Sequence, residues 1–164
     1  MKINFYTEEL QGSRNLSLIY RDEDYSFDID PLEESGGMSI MINDLQLEID
    51  QTGRVIYVWG YCPFFQYQKT EEYPKNYQAK TLIASLDKPS IPGVSYRLNE
   101  TERWEIFINK EKGWVCIGNP KTIKKQLIEF APNCIATLEN YEIKAIWLKP
   151  KKLPNLILHS QGSE

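Results

Sequence analysis

Strict alternation of apolar and polar residues is the feature that most constrains how this chain folds. Residues 45–50 (Leu-Gln-Leu-Glu-Ile-Asp) and residues 25–30 (Tyr-Ser-Phe-Asp-Ile-Asp) both show it. Because successive side chains of a strand point to opposite faces, each segment predicts a half-buried strand with an acidic outer face. The fold class that follows is α+β, mainly antiparallel sheet arranged in hairpins and a meander.

Two short loops predict hairpins. Residues 51–53 separate the first alternating run from the apolar run 54–61, and Gly53 can adopt the positive φ that a tight loop needs. Residues 110–113 join two further strand-like runs in the same way. Because the run 54–61 is apolar on both faces, we expect it to lie in the middle of a sheet and to be covered on both sides.

One helix is predicted, near residues 119–130. Asn119 and Pro120 form a favourable helix start, since a capping side chain is followed by a residue that needs no N–H. The apolar residues that follow recur at i, i+4 and i+7 on one face, and they are Ile123, Leu127 and Phe130. We expect this helix to end before Pro132 and to pack on the sheet.

Length, cysteines and the first residues predict one cytoplasmic domain. The 164 residues suit a single domain over 1–164, with 160–164 as a frayed tail. The three cysteines are odd in number and lack paired spacing, which indicates buried free thiols in a reducing compartment. The N-terminus lacks the basic and apolar regions of a signal peptide, and no apolar run is long enough to span a bilayer. We therefore expect a cytoplasmic protein without membrane contact.

The residues give little support to catalysis. The only histidine, His159, lies near the end of the chain, and no paired cysteines accompany it. The sequence contains no phosphate-binding loop or nucleophile-elbow motif. The acids at 22–30 resemble fragments of a calcium loop but lack its central Gly and closing Glu. We expect no catalytic residues, no metal and no cofactor.

Charge is divided unevenly along the chain. Residues 1–50 contain twelve acids and three bases, whereas residues 51–164 contain eleven acids and sixteen bases. The acidic part carries the predicted partner-binding residues, which are Asp22, Glu23, Asp24, Tyr25, Asp28, Asp30, Glu33 and Glu34. Acids spread along strands and turns attract a basic partner, and Tyr25 would be the aromatic anchor. A solvated acidic strand face explains the same residues without any partner.

A second candidate surface is aromatic. The aperiodic segment 62–77 contains the rings of Phe64, Phe65, Tyr67 and Tyr73, and long loops of this kind are often functional. Alternatively, the same rings are buried in a loop folded over a sheet edge. Stacking on nucleic acid needs bases among the rings, but Lys69 and Lys75 are offset by Glu71 and Glu72. Direct nucleic-acid binding is therefore not expected.

Residues 42–63 resemble part of a known class of proteins. The stretch reads INDLQLEIDQTGRVIYVWGYCP, an acidic hairpin that ends in Trp-Gly-Tyr-Cys-Pro, and covers about an eighth of the chain. It resembles immunity proteins of contact-dependent growth inhibition and other polymorphic toxin systems of bacteria. The resemblance implies a cytoplasmic protein, monomeric when free, that binds and neutralises the C-terminal domain of a cognate toxin, commonly a nuclease. Such a protein needs no catalytic residues.

Under this interpretation, the acids at 22–34 cover the basic groove with which the toxin grips nucleic acid. An alternative is a small-ligand-binding β domain, or a minor enzyme, whose pocket is lined by Trp59, Tyr61, Trp104 and Trp114. A third interpretation is a subunit of a larger assembly. A tryptophan-lined pocket predicts saturable quenching of fluorescence by one small molecule, and an assembly subunit predicts a stable oligomer.

Overall fold

Strands formed by the alternating segments dominate the fold. The computed structural model describes residues 2–11, 15–32, 37–89, 91–98 and 102–156, and strand makes up 52% of the chain against 4% helical backbone. The strands, in chain order, are β1 (Ile3–Glu8), β2 (Ser17–Arg21), β3 (Ser26–Asp30), β4 (Met38–Ile42), β5 (Leu45–Ile49), β6 (Val55–Tyr61), β7 (Gln68–Lys69), β8 (Gln78–Ala79), β9 (Thr81–Leu86), β10 (Ser95–Arg97), β11 (Ile106–Asn109), β12 (Trp114–Gly118), β13 (Gln126–Ala131), β14 (Cys134–Glu139) and β15 (Glu142–Leu148).

The described strands form three sheets. A six-stranded sheet has the order β10-β4-β5-β6-β3-β2, a seven-stranded sheet has the order β7-β11-β12-β15-β14-β13-β8, and β1 pairs with β9. Pairing is antiparallel except where the short strands β7, β8 and β10 join an edge. Both predicted hairpins are confirmed, because β5 pairs with β6 across residues 51–53 and β11 pairs with β12 across 110–113. The central position predicted for β6 is also confirmed.

The two larger sheets share one core. Ile40 and Leu47 of the six-stranded sheet belong to the same buried cluster as Val115 and Ile146 of the seven-stranded sheet. All four side chains are 0% exposed. Burial of a side chain of this size contributes about 1.5–3 kcal/mol, so the inward positions of both sheets are set by folding. The outer faces and the loops are the regions left for binding.

The pair β1–β9 links loops of the two larger sheets. Phe5 N–H donates to the carbonyl of Tyr141 in the β14–β15 turn at 2.8 Å, and Ala84 N–H donates to the carbonyl of Gly53 in the β5–β6 loop at 2.8 Å. Gly53 has a φ of 92°, and a Cβ there would lie 3.2 Å from the Ala84 carbonyl oxygen. This loop therefore needs glycine for its backbone angle and for its close approach to β9.

The predicted helix near residues 119–130, packed on the sheet, is wrong. Its start is correct only locally, because Asn119 caps the N–H of Lys121 and a single turn of 3-10 helix covers Pro120–Lys124. The chain then enters β13 and pairs with β14. No described residue from 119 to 130 belongs to an α-helix, and the fold is nearly all β.

The physical reason is burial on two faces. A helix would bury Leu127 and Phe130 but turn Ile128 toward solvent. As a strand, the segment places Leu127 in one buried cluster and Ile128 with Phe130 in the other. Pro132 begins the tight turn between β13 and β14, in which Asn133 takes a φ of 62°, the left-handed angle that such turns require.

Residues 70–77, which we call the strap, run from β7 at one edge of the seven-stranded sheet to β8 at the other. Nine peptide steps from Lys69 to Gln78 reach at most about 32 Å, and six strand spacings amount to about 29 Å. The strap therefore crosses the outer face almost straight. Tyr73 packs there against a buried cluster, whose members are Trp114, Cys116, Leu127, Ile135, Ala145 and Trp147.

The predicted frayed tail at 160–164 and His159 lie outside the described residues. In the part of the chain that the structure describes, no helix is long and apolar enough to cross a membrane.

Candidate functional site

The acidic turn, residues 22–25, joins β2 to β3. Tyr25 N–H donates to the carbonyl of Asp22 at 3.3 Å, which closes the turn. Tyr25 has a φ of 51°, a left-handed angle that costs a residue with a Cβ about 1–2 kcal/mol. The N–H of Cys62 donates to the Tyr25 carbonyl at 2.7 Å and holds this conformation. The turn is therefore presented in one defined position beside the end of β6.

Three aromatic residues, Tyr25, Tyr61 and Phe65, form a cluster next to this turn, and we call it the aromatic cluster. The ring centroid of Tyr25 lies 6.5 Å from that of Tyr61 and 5.1 Å from that of Phe65, with edge-on geometry in both pairs. Such pairs contribute roughly 0.5–1.5 kcal/mol beyond burial. Tyr61 nevertheless remains 45% exposed. The rings hold one another in place while part of their surface stays accessible.

The outer face of β6 continues this surface. Trp59 and Tyr61 are two residues apart and point outward, whereas Val58, which precedes Trp59, is buried in the core. Trp59 is 36% exposed, and its Nε1 donates to a carboxylate oxygen of Glu48 at 2.9 Å. We call Glu48, Trp59 and Tyr61 the open face of the six-stranded sheet. The expectation that this strand is covered on both sides is therefore wrong at its C-terminal end.

Two of the predicted acidic residues are engaged within the protein. A carboxylate oxygen of Asp22 accepts the backbone N–H of Asn155 at 2.8 Å. Asp28 pairs with Arg21 at 3.2 Å, between β3 and β2. These contacts give Asp22 and Asp28 structural roles as well as charge.

The other acids are placed differently. Glu23, Asp24 and Asp30 are exposed, and none of them forms an ion pair with another described residue. Their carboxylates are therefore available to a basic partner without the loss of an internal pair. Glu33 and Glu34 lie outside the described residues.

The predicted aromatic surface is divided between different regions. Phe64 is 0% exposed and meets Tyr20 edge-on at 5.3 Å, and Tyr67 packs against the same core. Tyr73 belongs to the strap on the seven-stranded sheet. Phe65 is the member that reaches the acidic turn, through its contact with Tyr25.

The residues predicted to line one ligand pocket lie in three different surroundings. Trp59 and Tyr61 belong to the open face. Trp114 is 4% exposed on the outer face of the seven-stranded sheet, where Tyr77 meets it edge-on at 6.4 Å. Trp104 lines two clefts next to β11. The structure does not bring the four rings together around a common cavity.

The two larger sheets differ in the sign of their net charge. The described residues of 15–61 supply five strands of the six-stranded sheet and contain eight acids and two bases. Residues 102–152 supply most of the seven-stranded sheet and contain six acids and ten bases. A basic partner is therefore attracted to the side that carries the acidic turn, over a screening length of about 8–10 Å.

Reactive groups near this surface are suppressed by burial. Desolvation raises the pKa of the Cys62 thiol to about 12. The Tyr20 hydroxyl donates to the Cys62 carbonyl at 2.9 Å, and burial raises its pKa as well. Among the described residues, no group of three His, Cys, Asp or Glu side chains is arranged to hold a metal ion.

Reading the sequence missed two parts of this surface. Glu48 was assigned only to an acidic strand face, although the β5–β6 pairing places it beside Trp59. The contact between Phe65 and Tyr25 had no local signal, because it depends on the pairing of β3 with β6.

No family model, no curated protein and no solved structure matches this chain.

Proposed function

We propose that this chain is an immunity protein, which binds and neutralises a cognate toxin domain, a nuclease with a basic substrate groove. The observation that carries the proposal is the joining of the acidic turn, the aromatic cluster and the open face at one end of the six-stranded sheet. The resemblance of residues 42–63 to immunity proteins falls on the same place, since this stretch supplies Glu48, Trp59 and Tyr61.

The aromatic residues of this surface supply contact area. Tyr and Trp are enriched among the few residues that carry most of the binding energy in protein interfaces. Trp59 is already oriented by Glu48, and Tyr25 and Tyr61 already contact each other. Because these rings are positioned before binding, little side-chain entropy is lost when a partner docks on them.

The acidic residues supply attraction and orientation. Glu23 and Asp24 at the tip of the hairpin are exposed and form no ion pair within the described residues, so they can oppose Lys or Arg directly. Asp28 must share its carboxylate between Arg21 and the partner. We therefore expect the hairpin tip to set the rate of association and its dependence on salt.

Charge reversal at the hairpin tip tests the proposal. The tagged protein, the double variant Glu23→Lys with Asp24→Lys, and a matched control are each used to capture partners from the cells that make the protein. The control is Glu71→Lys with Glu72→Lys, which reverses two exposed acids on the strap. Captures are run at about 50 and about 300 mM salt, because screening acts over this range. The captured protein is identified, and its C-terminal domain is then expressed alone and with each variant.

The expected result is one partner that is retained by the wild type and the strap control and lost by the tip variant at both salt concentrations. Its C-terminal domain arrests growth when expressed alone, and co-expression of the wild type restores growth. A partner that is harmless when expressed alone refutes the immunity function. A toxic partner that the tip variant still captures and neutralises refutes the acidic surface as its binding site. If the cells produce both this protein and the toxin and no specific partner is captured, the proposal as a whole is refuted.

A further inference from the structure

Two clefts flank Trp104, in the segment that leads into β11. Their volumes are about 1020 Å³ and about 670 Å³, and both are lined by Arg103, Trp104 and Glu105. The smaller volume falls within the range of about 300–1,000 Å³ that is typical of small-molecule sites. The half-buried Trp104 side chain therefore forms a wall between two spaces of ligand size.

The position of Trp104 is fixed through its backbone. The side chain of Asn43, which is 5% exposed, accepts the Trp104 N–H at 2.8 Å and donates to the Trp104 carbonyl at 3.0 Å. The carbonyl of Asn43 accepts in turn from the guanidinium of Arg97. A buried amide that satisfies both backbone groups of one residue orients that residue without any contribution from its ring.

The indole ring rests on backbone at one side. A Cβ at Gly118 would lie 3.1 Å from Cε3 of Trp104 and 2.5 Å from the carbonyl oxygen of Lys144. Gly118 thus allows the ring to approach the β12–β15 pair closely, at a φ of 116° that also favours glycine. The half-buried ring therefore lies close to this backbone and lines both clefts.

The polar lining of the smaller cleft consists of planar side chains. Gln66 and Gln68 are exposed, and neither side-chain amide has a hydrogen-bond partner among the residues that the structure describes. The charged lining residues are one base, Arg103, and one acid, Glu105, so the cleft carries no net charge. Arg103 is also engaged by Asp44 at 3.3 Å. The lining favours a neutral ligand with many hydroxyl or amide groups.

We propose that the smaller cleft binds a neutral saccharide, with one pyranose ring stacked on Trp104 and its hydroxyls hydrogen-bonded to Gln66 and Gln68. A pyranose has an apolar face of C–H groups and a rim of hydroxyls, which match an aromatic wall beside amides that donate and accept. A phosphorylated ligand needs surplus positive charge, which this lining lacks. A nucleobase can also stack on an aromatic ring and bond to amides, so nucleosides are the competing ligands in the test. The proposal does not depend on toxin binding, although Phe65 lines this cleft and also contacts Tyr25.

A panel of immobilised neutral oligosaccharides tests this inference with the full chain, followed by calorimetric titration of the best binder. The variant Gln66→Ala with Gln68→Ala removes two exposed side chains, so it is expected to fold and to weaken binding at least tenfold. Trp104→Ala is expected to abolish binding. Trp59→Ala is the matched control, since it removes an exposed tryptophan of the open face, and it leaves saccharide affinity unchanged.

Three outcomes overturn the proposal. The first is a folded protein that binds no member of the panel. The second is binding that the double glutamine variant leaves unchanged, which places the sugar elsewhere. The third is tighter binding of uridine or adenosine, titrated in parallel, than of any saccharide. If Trp104→Ala and the double glutamine variant lose sugar binding but still neutralise the toxin, the cleft and the proposed protein surface are separate sites.

Discussion

The outer faces of the two large sheets are built in opposite ways. On the seven-stranded sheet, Trp114 and Trp147 are 4% and 0% exposed, and Tyr73 of the strap packs on the cluster that contains them. On the six-stranded sheet, Trp59 and Tyr61 are 36% and 45% exposed. All four are large aromatic residues at outward positions, so residue type alone does not separate them. The segment laid over one face creates the difference.

Folding stability explains the tryptophans on the outer face of the seven-stranded sheet, but it does not explain the exposed one on the six-stranded sheet. Burial of a large aromatic side chain contributes about 1.5–3 kcal/mol, so Trp114 and Trp147 are accounted for by stability. Trp59 obtains only part of that contribution, although its Nε1 is satisfied by Glu48. An exposed and oriented tryptophan beside acids is what the proposed contact with a partner would use.

The first prediction compares the stability of two alanine variants. Tyr73→Ala removes the ring by which the strap packs on the sheet, together with its contacts to Lys75 Nζ at 4.6 Å and Lys112 Nζ at 5.4 Å. We expect a loss of about 2–3 kcal/mol in the free energy of unfolding. Trp59→Ala is expected to cost less than about 1 kcal/mol. Urea unfolding of both variants measures the difference, and equal losses would show that the open face is as structural as the covered one.

The second prediction concerns the affinity of the same two variants for the partner, for which we expect the opposite order of effects. Trp59→Ala is expected to weaken partner binding by about 30-fold, or about 2 kcal/mol, because it removes an aromatic anchor of the open face. Tyr73→Ala, at a temperature where it remains folded, is expected to change affinity by less than about threefold. Titration of the identified partner against both variants provides the measurement. A larger affinity loss for Tyr73→Ala would move the binding surface to the strap.

The strands of the six-stranded sheet could be predicted because their signal is local. The alternating residues and Gly53 define β5, β6 and their loop without reference to the rest of the chain. Residues 126–131 fit two structures, because Leu127 and Phe130 also suit a helical face and only Ile128 argues for a strand buried on both sides. Pro132 and Asn133 fit both a helix stop and a hairpin turn, and the structure has the hairpin turn.

The strap and the assembled surface lay beyond sequence reasoning for a different reason. Strands β7 and β8 have two residues each, too few for any periodicity, and their partners β11 and β13 are distant in the chain. The acids of the hairpin were placed correctly on a turn and a strand. Their proximity to Phe65 and Tyr61 follows from non-local pairing, which no local pattern encodes.

The third prediction concerns the loop that sets the register of the open face. The Asp50 carboxylate accepts from Thr52 N–H at 2.8 Å, from Arg54 N–H at 3.0 Å and from Arg54 Nε at 3.1 Å. Burial acts to raise the pKa of Asp50, but the hydrogen bonds from Thr52 and Arg54 outweigh it and hold the pKa below its ordinary value of 3.8. The stabilisation by Asp50 is therefore fully present well above its ordinary pKa of 3.8 and is lost as the pH falls through the lowered pKa of the folded state.

Asp50→Asn keeps the shape of the side chain and removes its charge. We expect a loss of about 1–2 kcal/mol at pH 7 and a smaller difference from the wild type near pH 2.5, because lowering the pH protonates an increasing share of the wild-type carboxyl. Chemical unfolding at the two pH values measures it, with the exposed Asp24→Asn as the control. A difference that stays constant between the two pH values would mean that the ion pair with Arg54 contributes little.

The last prediction compares one buried hydroxyl on each outer face. Thr137, on β14, is 0% exposed and its Oγ1 has no hydrogen-bond partner among the described residues. Ser39, on β4, is 5% exposed, donates to Gln46 at 2.6 Å and lies 2.7 Å from the Ser95 hydroxyl. A buried polar group without a partner opposes folding, whereas a satisfied one supports it.

Thr137→Val replaces the unpartnered hydroxyl by a methyl group of nearly the same volume, so we expect an increase of about 1 kcal/mol in the free energy of unfolding. Ser39→Ala removes a satisfied hydroxyl and leaves Gln46 with only the long hydrogen bond from the Ser95 hydroxyl at 3.5 Å, so we expect a loss of about 1 kcal/mol. For a chain of this size each change shifts Tm by about 2–4 °C, in opposite directions. If Thr137→Val lowers Tm instead, the hydroxyl has a partner in solution, and water must reach the face that the strap covers.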